Sequence, residues 1–206
     1  FCETFQIPFA ETQAGKSACA SSHPMNLGGV GVTGNLSANL IARDADLIIA
    51  IGTRLSDFTT GSKELYGKTK MVSINIGAFD AAKMDATMVI GDAKATLELA
   101  QEVLKGKNYR SGYCGEIENA KKAWEEEYAA LAAYRYDENF KPLIAARNEG
   151  SIEEFVEVTG GKITQTAAIA LIREEIDKDA IIVGASGSLP GDLQRLWTTD
   201  QKDAYQ

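Results

Sequence analysis

Three glycine-rich turns hold the residue types from which an anion site could be built. The first is Gly28-Gly29-Val30-Gly31-Val32-Thr33-Gly34, with the G-x-G-x-x-G spacing at Gly29, Gly31 and Gly34. In a dinucleotide fold such glycines let a pyrophosphate approach the backbone at a helix N-terminus. The motif should follow a strand, whereas Ser21-Ser22-His23-Pro24-Met25-Asn26 reads as a polar, Pro-containing loop. The spacing is therefore a weak argument for NAD and leaves two uses for the loop, phosphate binding or close packing. The second turn, Gly52-Thr53-Arg54-Leu55-Ser56-Asp57, follows the apolar run from Leu47 to Ile51. Ligands of open α/β sheets gather outside the carboxyl ends of strands, and an arginine there can meet an anion bidentately. An ion pair between Arg54 and Asp57 would account for the same residues, and both readings stand. The third turn, Gly184-Ala185-Ser186-Gly187-Ser188, sits between an expected buried strand and an expected helix. Small residues, two hydroxyls and backbone amides at a helix start form an anion nest, so this turn has the best local context for phosphate.

Catalytic constellations are harder to assemble. His23 is the only histidine, and it stands beside Pro24 without a G-x-S-x-G partner, so no Ser-His-Asp triad is expected. The serines of the third turn lack that spacing as well. Cys2, Cys19 and Cys114 are odd in number and show no C-x-x-C spacing, which argues against a zinc or redox site and for free thiols in a reducing cytoplasm. Glu153-Glu154 and Glu174-Glu175 are adjacent on helices, diverge, and are expected to be surface charges. These residues cannot run a reaction alone, and neither catalytic residues nor metal ligands are assigned.

The elements that must position the turns alternate between strand and helix. Residues 47–51 form an unbroken apolar run, as in a strand covered on both faces, and residues 71–76 and 87–90 are two further short β-rich runs. A helix begins near Leu36. Asp92 can cap another over residues 93–104, with Leu97, Ala100 and Leu104 on one stripe. Such alternation implies an α/β layer with short crossovers. Residues 115–136 are charged and strongly helical, with Ile117, Ala120, Trp124, Tyr128 and Leu131 on one stripe, and read as an exposed connecting helix. Residues 139–161 lack a period and carry Pro142, Gly150, Gly160 and Gly161, which predicts a linker or hinge. Beyond it a second α/β unit begins. Its helix is expected over residues 163–176 with Ala168, Ile169, Ile172 and Ile176 inward, its strand over 180–183, and a further helix over 189–197.

Composition bounds these readings. A chain of 206 residues with 45% hydrophobic and 24% charged residues is an ordinary globular sequence, one large domain or two small ones. A net charge of −8 argues against nucleic-acid or anionic-membrane surfaces, and no apolar run reaches the ~18 residues a transmembrane helix needs. The sequence opens without Met, shows no signal-peptide pattern, and closes inside an α/β unit, so it is expected to be part of a longer protein.

Taken in order, these pieces resemble the thiamine-diphosphate-dependent enzymes of the acetolactate synthase and pyruvate oxidase type. The resemblance is carried by Ile7-Pro8-Phe9-Ala10-Glu11-Thr12-Gln13-Ala14-Gly15-Lys16 and by His23-Pro24 with Leu27-Gly28-Gly29-Val30-Gly31 and Gly34. It continues in the stretch from Ala45 to Asp57, in Val72-Ser73-Ile74-Asn75-Ile76 and in Gly91-Asp92-Ala93. It implies a three-layer Rossmann-like (DHS-like) parallel sheet flanked by helices, followed by the start of a second α/β domain. Residues 1–105 would be the family's central domain without its first strand, 106–161 a connecting helix and linker, and 162–206 the start of the diphosphate-binding domain. The run from Gly184 to Trp197 is similar to a hydrolase branch of inositol catabolism that opens a cyclic 1,2-diketone by carbon–carbon cleavage. An acetolactate-synthase-like carboligase or decarboxylase is the alternative within the family.

The resemblance also implies cofactors and partners. Thiamine diphosphate and magnesium would serve the whole enzyme, with only Ser186, Gly187 and Ser188 near the diphosphate. The activating glutamate would precede residue 1 and the magnesium motif would follow Gln206, so the chain by itself is expected to be inactive and to bind no cofactor tightly. Some members hold FAD or ADP on the central domain, which would make Gly29, Gly31, Gly34, Gly52 and Arg54 a vestigial nucleotide site. A non-catalytic FAD, ADP or NAD module is the third reading. The expected partners are a small cyclic diketone and further copies in a homodimer or homotetramer, with no nucleic acid and no membrane.

Overall fold

The computed structural model describes residues 1–67, 69–137, 150–160 and 162–206. Two parallel sheets form the first half. Strands β1 (Phe9–Glu11) and β2 (Asn26–Gly29) pair in the first, and β3 (Leu47–Ile51), β4 (Lys70–Asn75) and β5 (Thr87–Ile90) pair in the order β3-β4-β5 in the second. Ile48 faces Met71, Ala50 faces Ser73, and Ser73 in turn faces Met88, which sets one apolar face of the second sheet in register. Around the sheets lie helices α1 (Cys2–Phe5), α2 (Leu36–Asp44), α3 (Asp57–Thr60), α4 (Ala78–Ala81) and α5 (Ala93–Gly106). The protein is thus α/β, with parallel sheets flanked by helices. Asp92 caps α5 by accepting from Ala95 N at 2.9 Å, as its place before the apolar stripe predicts.

Helix α6 (Cys114–Ala133) ties the halves together. Its stripe begins with Ile117 in a core formed by Leu27, Val30, Ala38, Ala50 and Met71. The same stripe ends with Leu131 in a second core with Ile169, Leu193, Leu196, Trp197 and Tyr205. Helices α7 (Gly150–Thr159), α8 (Gln165–Glu175) and α9 (Leu189–Leu196) complete the chain.

Five expectations are corrected. Residues 21–25 hold no strand, as expected, but the loop stops at Asn26, where β2 begins: Asn26 pairs with Phe9 and Gly29 with Glu11, and the buried Asn26 carboxamide donates to Glu11 Oε2 at 3.4 Å and to the Ala20 carbonyl at 3.1 Å. Pairing with β1 sets the strand despite the polar Asn26 side chain and two glycines. Residues 150–159, expected within a linker, are helical, while residues 138–149 with Pro142, and Gly161, lie outside the described residues. On α8 the inward residues are Ala167, Ile169 and Ala170, whereas Ile172 and Ile176 are 51% and 40% exposed, because α8 meets α6 and α9 along one face only. The expected buried strand at 180–183 is a single bridge between Ile182 and Tyr205, and Ile181 and Val183 are exposed. Strand β3 is likewise covered incompletely: Ala50 is buried, while Leu47 and Ile51 at its ends are exposed.

Candidate functional site

The glycine loop lies between β2 and α2, the strand–loop–helix order that its motif requires, yet its amides are already used. Gly29 N donates to Asn35 Oδ1 at 2.6 Å, Gly31 N to Asn39 Oδ1 at 3.0 Å, Val30 N to the Glu11 carbonyl and Val32 N to the Phe58 carbonyl. Gly34 N and Asn35 N turn inward to the Gly31 and Gly29 carbonyls. Asn35 stands at the N-cap position of α2 but does not cap it, because its carboxamide bridges Gly29 to the Arg195 carbonyl. Two glycines are needed here for shape. Gly31 has φ 122 and a Cβ there would collide with the Phe58 carbonyl oxygen, while a Cβ on Gly28, at φ 90, would meet the Asn35 side chain at 2.6 Å.

The turn after β3 is more open. Gly52 has φ 61 with nothing within 4 Å of a built Cβ, and its N–H extends the sheet by donating to the Ile74 carbonyl. Arg54 is exposed, and its carbonyl accepts from Lys83 Nζ at 2.7 Å, an ammonium that also pairs with Asp80. Among the described residues no ion pair joins Arg54 to Asp57, which removes the alternative explanation of these two residues. Leu55, between them in the chain, is buried and has φ 47.

The third turn is solvent-exposed. Ile182 N donates to the Ala204 carbonyl and Gly184 N to the Gln206 carbonyl, which anchors the segment leading into it. Gly187 has φ 109 with open space where a Cβ would be, and Ser188 is the N-cap of α9 without a side-chain cap bond. Ser188 Oγ donates instead to Gln165 Oε1 at 3.3 Å. Gln165 Nε2 donates to Asp192 Oδ2 at 2.6 Å, and Arg195 Nη2 pairs with Asp192 Oδ1 at 3.0 Å. The first turn lies against α9 and beside Phe58 of α3, the second at the end of β3, and the third at the start of α9.

A buried polar cluster has no counterpart in the sequence-level assignments. Glu11 and Lys16 are both buried, Glu11 Oε1 accepts from Cys19 N at 3.0 Å, and Ser17 Oγ accepts from Tyr205 N at 3.1 Å. Burial pushes the Lys16 ammonium down to about 8, while the Glu11 carboxylate pulls it up and Arg173 adds to the depression. No periodicity marks a buried lysine in a short loop, so sequence alone carries no signal for it. His23 is structural: its Nδ1 accepts from Met25 N at 3.1 Å and its ring stands 5.3 Å from that of Phe9. The three cysteines are free, with Cys19 and Cys114 exposed, and Glu153, Glu154, Glu174 and Glu175 are exposed as expected. Among the described residues, no group of three or more His, Cys, Asp or Glu side chains is arranged to hold a metal, and no helix is long and apolar enough to cross a membrane.

Parallel strands with helices on their faces and glycine turns at the strand ends define a class. Residues 1–99 match the family model described as thiamine pyrophosphate enzyme, central domain. The whole chain is 59% identical to a protein of Clostridium perfringens, 55% to one of Clostridium botulinum and 53% to one of Geobacillus thermodenitrificans. Each of these is named 3D-(3,5/4)-trihydroxycyclohexane-1,2-dione hydrolase. The chain is covered fully in each comparison and spans 32% of the length of these relatives.

Proposed function

We propose that the chain is the central domain and the first part of the diphosphate-binding domain of a thiamine-diphosphate-dependent hydrolase that opens trihydroxycyclohexane-1,2-dione. The observation that carries this reading is the 59% identity over the whole chain to a relative of that name. Residues 1–105 form the central domain, 106–161 the connection, and 162–206 the start of the cofactor domain. The family match ending at residue 99 agrees with the first boundary.

Ser186, Gly187 and Ser188 hold the diphosphate arm. The residues fit an anion: the turn is exposed, Gly187 leaves open space at φ 109, and two hydroxyls flank it at the start of α9. When bound, thiamine diphosphate supplies the nucleophilic carbon and the electron sink for the breaking carbon–carbon bond. The contribution of this chain is to orient the diphosphate and to hold the cofactor domain against the central domain. The activating glutamate, the magnesium ligands and the diketone contacts belong to the rest of the enzyme, which acts in inositol catabolism in the cytoplasm as a homodimer or homotetramer. Gly29, Gly31, Gly34, Gly52 and Arg54 bind no nucleotide in it.

The test is turnover. A longer protein containing this chain, supplied with thiamine diphosphate and magnesium, is expected to consume the cyclic diketone and not pyruvate, while the 206 residues alone consume neither. Acetolactate formation from pyruvate by the longer protein would transfer the assignment to the carboligase branch.

A further inference from the structure

We propose that the glycine loop at residues 28–34 is the seat of α9, and that Gln194, locked into it, is the positioning residue for the Ser186-Gly187-Ser188 turn. Gln194 is 2% exposed, so its amide must find its partners inside the protein. It does so in the loop: Nε2 donates to the Val30 carbonyl at 3.2 Å and Oε1 accepts from Thr33 Oγ1. One residue on, the Arg195 carbonyl accepts from Asn35 Nδ2 at 3.1 Å.

Glycines on both sides permit the approach. A Cβ on Gly29 would lie 2.9 Å from Gln194 Cγ, and a Cβ on Gly191 of α9 would lie 2.7 Å from Thr33 Cγ2. Loop and helix therefore meet at backbone distance, with a glycine supplied by each partner, and side-chain amides lock the register. This accounts for Gly29 without a phosphate, while Gly31 faces the Phe58 carbonyl and Gly34 the loop's own backbone. An entering phosphate would have to displace both the carboxamides that occupy the loop amides and the buried Gln194.

The seat is connected to the turn. Ser188 is the N-cap of the two-turn helix that carries Asp192 and Gln194, and Gln165 of α8 ties Ser188 Oγ to Asp192 Oδ2. A rigid helix of eight residues anchored near its C-terminal end carries its N-terminus with it. The loop of the central domain thereby sets where the candidate diphosphate turn stands.

The seat is tested in the chain itself and the positioning role in the longer protein, the latter resting on the function proposed above. In this chain, Gln194→Met keeps the length of the side chain and removes its amide, and Thr33→Val removes one of its partners. Both are expected to speed hydrogen exchange of the α9 amides about tenfold, the scale of one lost buried hydrogen bond, with β4 amides unchanged. Unchanged exchange in α9 would overturn the seat. In the longer protein, Gln194→Met is expected to weaken thiamine diphosphate binding about tenfold, with turnover at saturating cofactor within about twofold of the parent. The control Ile74→Ala, a buried change in β4 outside the core that holds Val30, is expected to leave the cofactor constant alone. Faster exchange with an unchanged cofactor constant, or an equal change in the control, would overturn the positioning role. A parent protein that binds no thiamine diphosphate would sink the proposed function and the positioning role together, while leaving the exchange result to decide the seat.

Discussion

The ammonium of Lys16, near the start of the chain, lies 5.7 Å from the centre of the Tyr205 ring at its end, and Ser17 Oγ accepts from Tyr205 N at 3.1 Å. The contact places a buried cation at the junction of the two halves, and a pH dependence follows. Burial lowers Lys16 from 10.5 to about 8. Between those values the unfolded chain keeps a proton that the folded chain has released, so this group's contribution to stability rises with pH across that window. Below about 8 both states are charged and the penalty of burying the ammonium is present in full, on the order of 3 kcal/mol. Urea unfolding at about pH 7.5 and about pH 9.5 should show the parent gaining stability relative to Lys16→Met; parallel profiles would remove the effect.

Gly31 and Gly52 separate steric from conformational cost. Both have positive φ, but only Gly31 faces a backbone carbonyl where a Cβ would stand. Gly52→Ala is expected to lose about 1 kcal/mol, the left-handed penalty alone. Gly31→Ala is expected to lose about 3 kcal/mol or more, because the Phe58 backbone must also move. Similar urea midpoints for the two variants would refute the distinction.

Asp92→Ala should cost about 1 kcal/mol, since the Ala95 N–H loses its acceptor at the start of α5. Asp92→Asn should recover most of it. Thermal unfolding of the three proteins measures both changes, and an Asn variant as unstable as the Ala variant would show that the cap does not set the loss.

Ile117→Ala and Leu131→Ala remove side chains from the two cores at opposite ends of α6. Each is expected to destabilise by about 2–5 kcal/mol. Because one helix carries both, each should move a single unfolding transition of the whole chain. Two separated transitions in either variant would show that the halves unfold independently.

Thermal denaturation curves with ADP, FAD and NAD are expected to superimpose on the curve without ligand. The loop amides that would receive a pyrophosphate already donate to Asn35, Asn39 and backbone carbonyls. A rise in midpoint with any of the three would reinstate the nucleotide reading.

Local chemistry was legible in the sequence. The Asp92 cap, the α6 stripe and the apolar runs of β3, β4 and β5 depend on neighbours within a few residues, so periodicity and capping rules reach them. The resemblance was legible too, through an ordered series of short motifs, and residues 1–99 match the central-domain model. The strand at Asn26–Gly29 was not, because its one polar side chain, Asn26, is satisfied by Glu11 and the Ala20 carbonyl, partners that only folding supplies. Nor was the helix at Gly150–Thr159, whose weak period resembles a linker.

The glycine motif marks the division most sharply. Its spacing by itself determined that a backbone would be closely approached at Gly29, Gly31 and Gly34, since only residues without a Cβ permit it. Which atoms approach was decided by tertiary structure: at Gly31 it is the Phe58 carbonyl and at Gly29 it is Gln194, which stands more than 150 residues away along the chain and reaches the loop only when α9 docks. A contact between distant residues leaves no period or local spacing in the sequence, and here it fills the loop whose motif points to a nucleotide.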